Sequence, residues 1–107
     1  GGAMALHTAL RYPDRLAGIL ALSCYIPLAG KLSGERRLAN QRTPIFIAHG
    51  DYDAVIPMRY GQQGAESLEN LGYPVEWRDY GMGHEVCREE IRDIAEWLGR
   101  VLAVARA

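Results

Sequence analysis

One apolar run that breaks into a short acidic turn constrains this chain more than any other stretch. Ile45-Phe46-Ile47-Ala48 has the composition of a strand buried on both faces. It feeds into His49-Gly50-Asp51-Tyr52-Asp53-Ala54-Val55-Ile56-Pro57. Gly50 opens a turn there, which presents carboxylates at the strand's C-terminal edge. Farther on, Val75 to Tyr80 reads as a second strand and runs into Gly81-Met82-Gly83-His84. An acid therefore follows one strand, and a histidine approached through glycines follows the next.

The rest of the chain supplies what such strands need. Ala3 to Leu10 is rich in strong helix formers and is ended by Tyr12-Pro13. Leu16 to Ser23 is a short, nearly unbroken apolar run that fits another buried strand. Cys24 to Thr43 carries Pro27, Gly30 and Gly34 and reads as a loop with one helical turn. Met58 to Leu71 predicts a helix stopped by Gly72. Val75 to Tyr80 alternates, as expected of a half-exposed strand near a sheet edge. Cys87 to Val104 predicts the clearest helix, with one stripe made by Ile91, Ile94, Ala95, Leu98, Val101 and Leu102. Strands alternating with helices imply an α/β fold with a parallel sheet covered on both faces. Sites in such folds form beyond the carboxyl ends of the strands, where Asp53 and His84 lie.

At 107 residues the chain is one domain at most. Its net charge of −1 gives no reason to expect nucleic acid or an anionic membrane as partner. No apolar run approaches the roughly 18 residues of a membrane span. Cys24 and Cys87 form neither a CxxC pair nor a metal spacing, and two reduced thiols suit a reducing cytoplasm. The start, Gly1-Gly2-Ala3-Met4, has no initiator Met and falls at a helix start, so the chain reads as the C-terminal part of something longer.

Asp53 and His84 are 31 residues apart, an interval that holds one helix and one strand. Both then fall on neighbouring strand ends, where a carboxylate can orient an imidazole that acts as general base and then general acid. Taken singly, each has a plainer reading, as an Asx-turn acid and an exposed loop histidine. Asp51 is assigned the turn role, and Asp79 is a weaker third acid. His7 and His49 read as structural. A nucleophile is the missing part: Ser23, Ser33, Ser67, Cys24 and Cys87 all lack the G-x-S-x-G setting of a strained strand-to-helix turn.

Three segments in order, GGAMAL, HGDYDAVIP and GMGHEV, with LALSCYIP between the first two, resemble the acyl-protein thioesterase/phospholipase-carboxylesterase family of α/β-hydrolases. The resemblance covers the whole chain. It implies that residues 1–107 are the C-terminal portion of a single hydrolase domain, with Asp53 as triad acid and His84 as triad base. Gly1 would be the glycine that lets the nucleophile elbow turn tightly, with the serine two residues before it. By analogy Tyr25, Ile26, Leu28, Val55 and Ile56 would line the acyl groove, although each is also a plausible packing residue. The implied parent is a cytoplasmic serine hydrolase without cofactor or metal. Its substrates would be small esters, lysophospholipids or acyl thioesters. Some members of the family dimerise, and an exposed sheet edge here would also invite association. Lacking the serine and the oxyanion hole, the 107-residue chain itself is expected to be inactive. The alternative is a non-catalytic binding module that retains the half-fold. A dienelactone-hydrolase-like or peptidase-like enzyme would share the fold and triad.

Overall fold

The computed structural model describes residues 1–27 and 29–106. In chain order it contains α1 (Gly2–Ala9), β1 (Ile19–Leu22), α2 (Ala29–Glu35), a 3-10 turn (Leu38–Asn40), β2 (Ile45–Gly50), α3 (Met58–Asn70), β3 (Val75–Tyr80) and α4 (Arg88–Arg106). The strands form one parallel sheet in the order β1-β2-β3. Ile19, Ile45 and Val75 stand in register at one end, and Gly50 pairs with Tyr80 at the other.

β2 is the centre of the molecule because all six of its residues are buried. Its side chains alternate between two cores. Ile45 and Ile47 enter the larger core, with Leu6 and Leu10 from the first helical segment, Leu32 of α2, and Ala65 and Leu68 of α3. Phe46 and Ala48 enter the smaller one, against Trp97 and Val101 of α4. The Phe46 and Trp97 rings lie 5.6 Å apart in a tilted pair. Burial pushes the Cys24 thiol, at the edge of the larger core, up to about 11.

α3 ends where Gly72 adopts a φ of +86°, the left-handed region that stops helices without a Cβ penalty. The Leu71 carbonyl at this end accepts from Arg36 Nη1 and Gln41 Nε2, both at 2.9 Å. At the amino end of the sheet, Asn40 is fully buried. Its Nδ2 donates to the carbonyls of Tyr12 (3.1 Å) and Asp14 (2.8 Å), and its Oδ1 accepts from the Leu16 N–H and the Thr43 hydroxyl, both at 2.8 Å.

Three expectations change in detail. The first strand is shorter than Leu16–Ser23, because Asn40 takes the Leu16 N–H that would otherwise be free for a sheet partner. The Cys24–Thr43 stretch holds the two-turn α2 as well as the 3-10 turn, stabilised by the burial of Leu32 at 1% exposure. α4 is rolled relative to its predicted stripe. It buries Glu90, Trp97 and Val101, whereas Ile91, Leu98 and Leu102 remain exposed. Among the described residues no helix is long and apolar enough to cross a membrane, and no group of three or more His, Cys, Asp or Glu is placed to hold a metal ion.

Candidate active site

The ladder between β2 and β3 continues past the strand ends. Asp51 N–H donates to the Tyr80 carbonyl at 2.8 Å, and Tyr52 N–H donates to the Met82 carbonyl at 3.0 Å. These bonds lace the turn after β2 to the turn after β3. Gly50 permits this approach, since a Cβ there would fall on the carbonyl oxygens of Met82 and Gly83. Two loops from neighbouring strands are thereby packed backbone to backbone, with an acid on one and a histidine on the other.

Asp53 and His84 meet across them. His84 Nδ1 donates to Asp53 Oδ2 at 2.7 Å. The Asp53 side chain is completely buried, while that of His84 is 42% exposed. The other carboxylate oxygen, Oδ1, accepts the N–H groups of Val55 and Ile56, each at 2.8 Å, in an Asx turn. Burial pushes the Asp53 carboxyl up, but the hydrogen bonds from Ile56, His84 and Val55 together outweigh it and hold the group below the usual carboxylate range. A charged acceptor thus fixes hydrogen on His84 Nδ1. Nε2, across the ring, has no hydrogen-bond partner among the described residues and is the nitrogen available for proton transfer.

Asp51 is exposed, and its carboxyl is pushed up by a hydrogen bond shared with Asp79, so these two acids engage each other. Of the acids after β2, Asp53 is the one bonded to His84. His49 is buried at the end of β2, and its Nε2 lies 2.7 Å from the Ile56 carbonyl, the local hydrogen bond expected of a structural histidine.

His84 opens onto a cleft of about 620 Å³ that Gly1, Gly2, Ser23, Cys24, Tyr25, Val55 and Ile56 help to line. A second groove of about 490 Å³ runs on between Tyr25, Ile26, Val55 and Ile56 on one side and Tyr60, Gly64 and Ser67 of α3 on the other. The two share Tyr25, Val55 and Ile56. Four of the five residues expected to line an acyl groove are therefore together; Leu28 lies outside the described residues. Gly1 also lines the first cleft.

Two contributors were not legible in the sequence. Ser23 is the one non-glycine residue with positive φ (+51°) among those described, and it lines the cleft beside His84. Its N–H donates to Ala48 at 2.8 Å, which ties the bend to β2. Strained backbone of this kind concentrates at functional sites. Tyr60 reaches the groove from the first turn of α3, and only the helix register, with Pro57 as its cap, could have pointed to it.

Known proteins resemble this chain in sequence and fold. The chain is 42% identical to acyl-protein thioesterase 1 of Neurospora crassa over 101 residues, covering 92% of this chain and 41% of that protein. It is 39% identical to acyl-protein thioesterase 1 of Mycosarcoma maydis, covering 95% of this chain and 45% of the relative. The chain thus spans less than half the length of these curated relatives. Among solved structures, Arabidopsis thaliana SOBER1 superposes with a TM-score of 0.89 at 30% identity, over 94% of this chain and 49% of that one. The sequence profile of the phospholipase/carboxylesterase family matches residues 1–102, and with this fold and these relatives the chain belongs to that family of α/β-hydrolases.

Proposed function

We propose that this chain carries the acid and the base of a Ser-His-Asp hydrolase that cleaves esters or thioesters with apolar acyl groups. It would form the C-terminal portion of the hydrolase domain, with the serine and the oxyanion donors supplied from outside residues 1–107. The observation that carries this reading is the 2.7 Å contact between the half-exposed His84 and the buried, ionised Asp53.

In this reading the serine Oγ attacks the substrate carbonyl carbon and its proton passes to His84 Nε2. Asp53 holds the ring and stabilises the imidazolium. The tetrahedral intermediate collapses, and His84 returns that proton to the departing alcohol or thiol. A water then attacks the acyl-serine, again giving its proton to His84, and the carboxylic acid leaves as serine is reprotonated. The mainly apolar clefts beside His84 suit an acyl chain, with Tyr25, Val55 and Ile56 at their junction. The names of the relatives favour a thioester among the substrates.

The test is kinetic. In the full-length protein, His84→Ala should lower kcat/KM on p-nitrophenyl esters by about 10³-fold or more. Activity within a few-fold of the unsubstituted protein would sink the reading. The 107-residue chain alone should show no turnover.

A second reading, a non-catalytic module that binds through its open edge, is favoured by one set of residues. Among the described residues no strand pairs with the outer side of β1, Leu20 and Leu22 are only partly buried, and Ile91, Leu98 and Leu102 are exposed. It predicts a stable oligomer of the 107-residue chain, and a sharp monomer peak in light scattering counts against it.

A further inference from the structure

Asp53 has a second imidazole beside it. His49 is fully buried, with Nε2 2.7 Å from the Ile56 carbonyl oxygen and 3.5 Å from Asp53 Oδ2. A carbonyl oxygen only accepts, so Nε2 carries the ring hydrogen and Nδ1 is the bare nitrogen. Nδ1 has no hydrogen-bond partner among the described residues. It is backed instead by α3: a Cβ built on Gly61 would lie 2.6 Å from it. The ring also stacks on Trp77 of β3, with centroids 6.3 Å apart and planes 22° from parallel. Trp77, Gly61 and the Ile56 carbonyl thus bound the ring on three sides.

What the ring grips is the turn that orients the acid. The N–H groups of Val55 and Ile56 hold Asp53 Oδ1, and the carbonyl of the same Ile56 is held by His49. The position of Oδ2, and with it the place where His84 finds its acceptor, is thus referred back to the rigid central strand through one hydrogen bond. Without that bond the Ile56 carbonyl loses its partner and the four-residue turn is tied to the strand at its Asp53 end alone.

We infer that His49 is a positioning residue: through the Ile56 carbonyl it clamps the Asp53–Ile56 turn and sets Asp53 Oδ2 opposite His84 Nδ1. The inference rests on the acid–base reading of Asp53 and His84 only for its consequence in catalysis; the clamp itself is a statement about geometry. A core residue that merely fills space would need the ring's volume and not its N–H.

The test compares His49→Gln, whose amide nitrogen reaches the place of Nε2, with His49→Leu, which keeps bulk and loses the donor. Both are made in the full-length protein and checked for folding by circular dichroism. The first readout is the proton NMR resonance of the His84 Nδ1–H in its short bond to Asp53, which needs no activity. It should persist in His49→Gln and broaden or shift in His49→Leu. The second is ester hydrolysis: His49→Leu should lower kcat by up to about 100-fold with KM within about twofold, as expected when a catalytic group is misplaced by a fraction of its contact distance. His49→Gln should recover most of that loss. A folded His49→Leu with an unchanged resonance and unchanged kcat overturns the inference, as does a Gln variant as impaired as the Leu variant. Should His49→Leu fail to fold, Gly61→Ala decides. It displaces the ring from behind while leaving residue 49 intact, and an unaltered His84 resonance there overturns the clamp. If His84→Ala keeps its activity while the resonance still responds to residue 49, the hydrolase reading fails and the clamp stands.

Discussion

Asn40 and Asp53 are both buried polar residues, at opposite ends of the same sheet, and they use their hydrogen-bonding capacity differently. Asn40 has two donors and two acceptor positions, and backbone groups and Thr43 fill all four. Nothing in that cluster faces solvent on a movable side chain. Asp53 is held at Oδ1 by two backbone N–H groups, but its other oxygen is given to a histidine that is 42% exposed. The first cluster is closed and can only fix the chain. The second is closed on the strand side and open on the cleft side, which is the arrangement proton transfer requires. The contrast separates a polar group that can only hold the chain from one that, in the proposed function, also serves the chemistry, though both are buried to a similar degree.

The largest effect should come from cutting the open cluster at its charge. Asp53→Asn in the full-length protein is expected to lower kcat about 10⁴-fold, because the amide no longer demands hydrogen on His84 Nδ1. Asn40→Ala should do the reverse. It leaves several buried backbone groups unpaired and should cost about 3 kcal/mol of stability in denaturant unfolding, with activity per folded molecule retained. If Asn40→Ala were the more damaging to catalysis, the distinction between the two clusters would collapse.

Gly50→Ala tests the backbone contact that brings the open cluster together. The added methyl meets carbonyl oxygens of the His84 loop, which are not the far end of a flexible side chain. A loss of about 2 kcal/mol is expected, together with a fall in kcat. Full activity with lowered stability would show that the loops need not touch.

The smallest effect is in the pH dependence of stability, where two buried carboxyls act in opposite directions. Asp53 is depressed, so its contribution is present above the ordinary carboxylate value of about 4 and is lost as pH falls through its lower folded value. Glu90 is raised by burial, and neither carboxylate oxygen has a hydrogen-bond partner among the described residues. Its contribution is present below about 4 and is lost as pH rises through its folded value. Glu90→Gln should therefore stabilise the protein at neutral pH and remove the upper part of this dependence, whereas Asp53→Asn should remove the acid part. Identical pH–stability curves for the two variants would contradict the assignment.

How much of this was legible in the sequence follows from which signals are local. The bounds of α3 are set by Pro57 and Gly72, and those of β2 by its own apolar run, so both were readable. The spacing of Asp53 and His84 was readable too, because one helix and one strand leave few ways to place them other than on adjacent strand ends. α2 was not, since Gly30, Ser33 and Gly34 are poor helix formers and the helix is stabilised by the distant partners of Leu32. The roll of α4 was equally hidden. Periodicity reveals a stripe, but the face that is buried depends on what the sheet offers, and Trp97 finds Phe46 while Leu98 stays exposed. Ser23 shows no local sign of its left-handed backbone, which is imposed by the chain it must turn.

The shared acceptor at Leu71 has a kinetic meaning. Arg36 and Gln41 belong to the first crossover of the sheet and Leu71 to the second, so the end of each connection is the anchor of the other. Neither can open by fraying alone, because releasing the Leu71 carbonyl, at the cap of α3, also frees the segment that follows α2. The two crossovers should then behave as a single cooperative unit in native-state exchange, with amides far apart in sequence sharing one opening free energy.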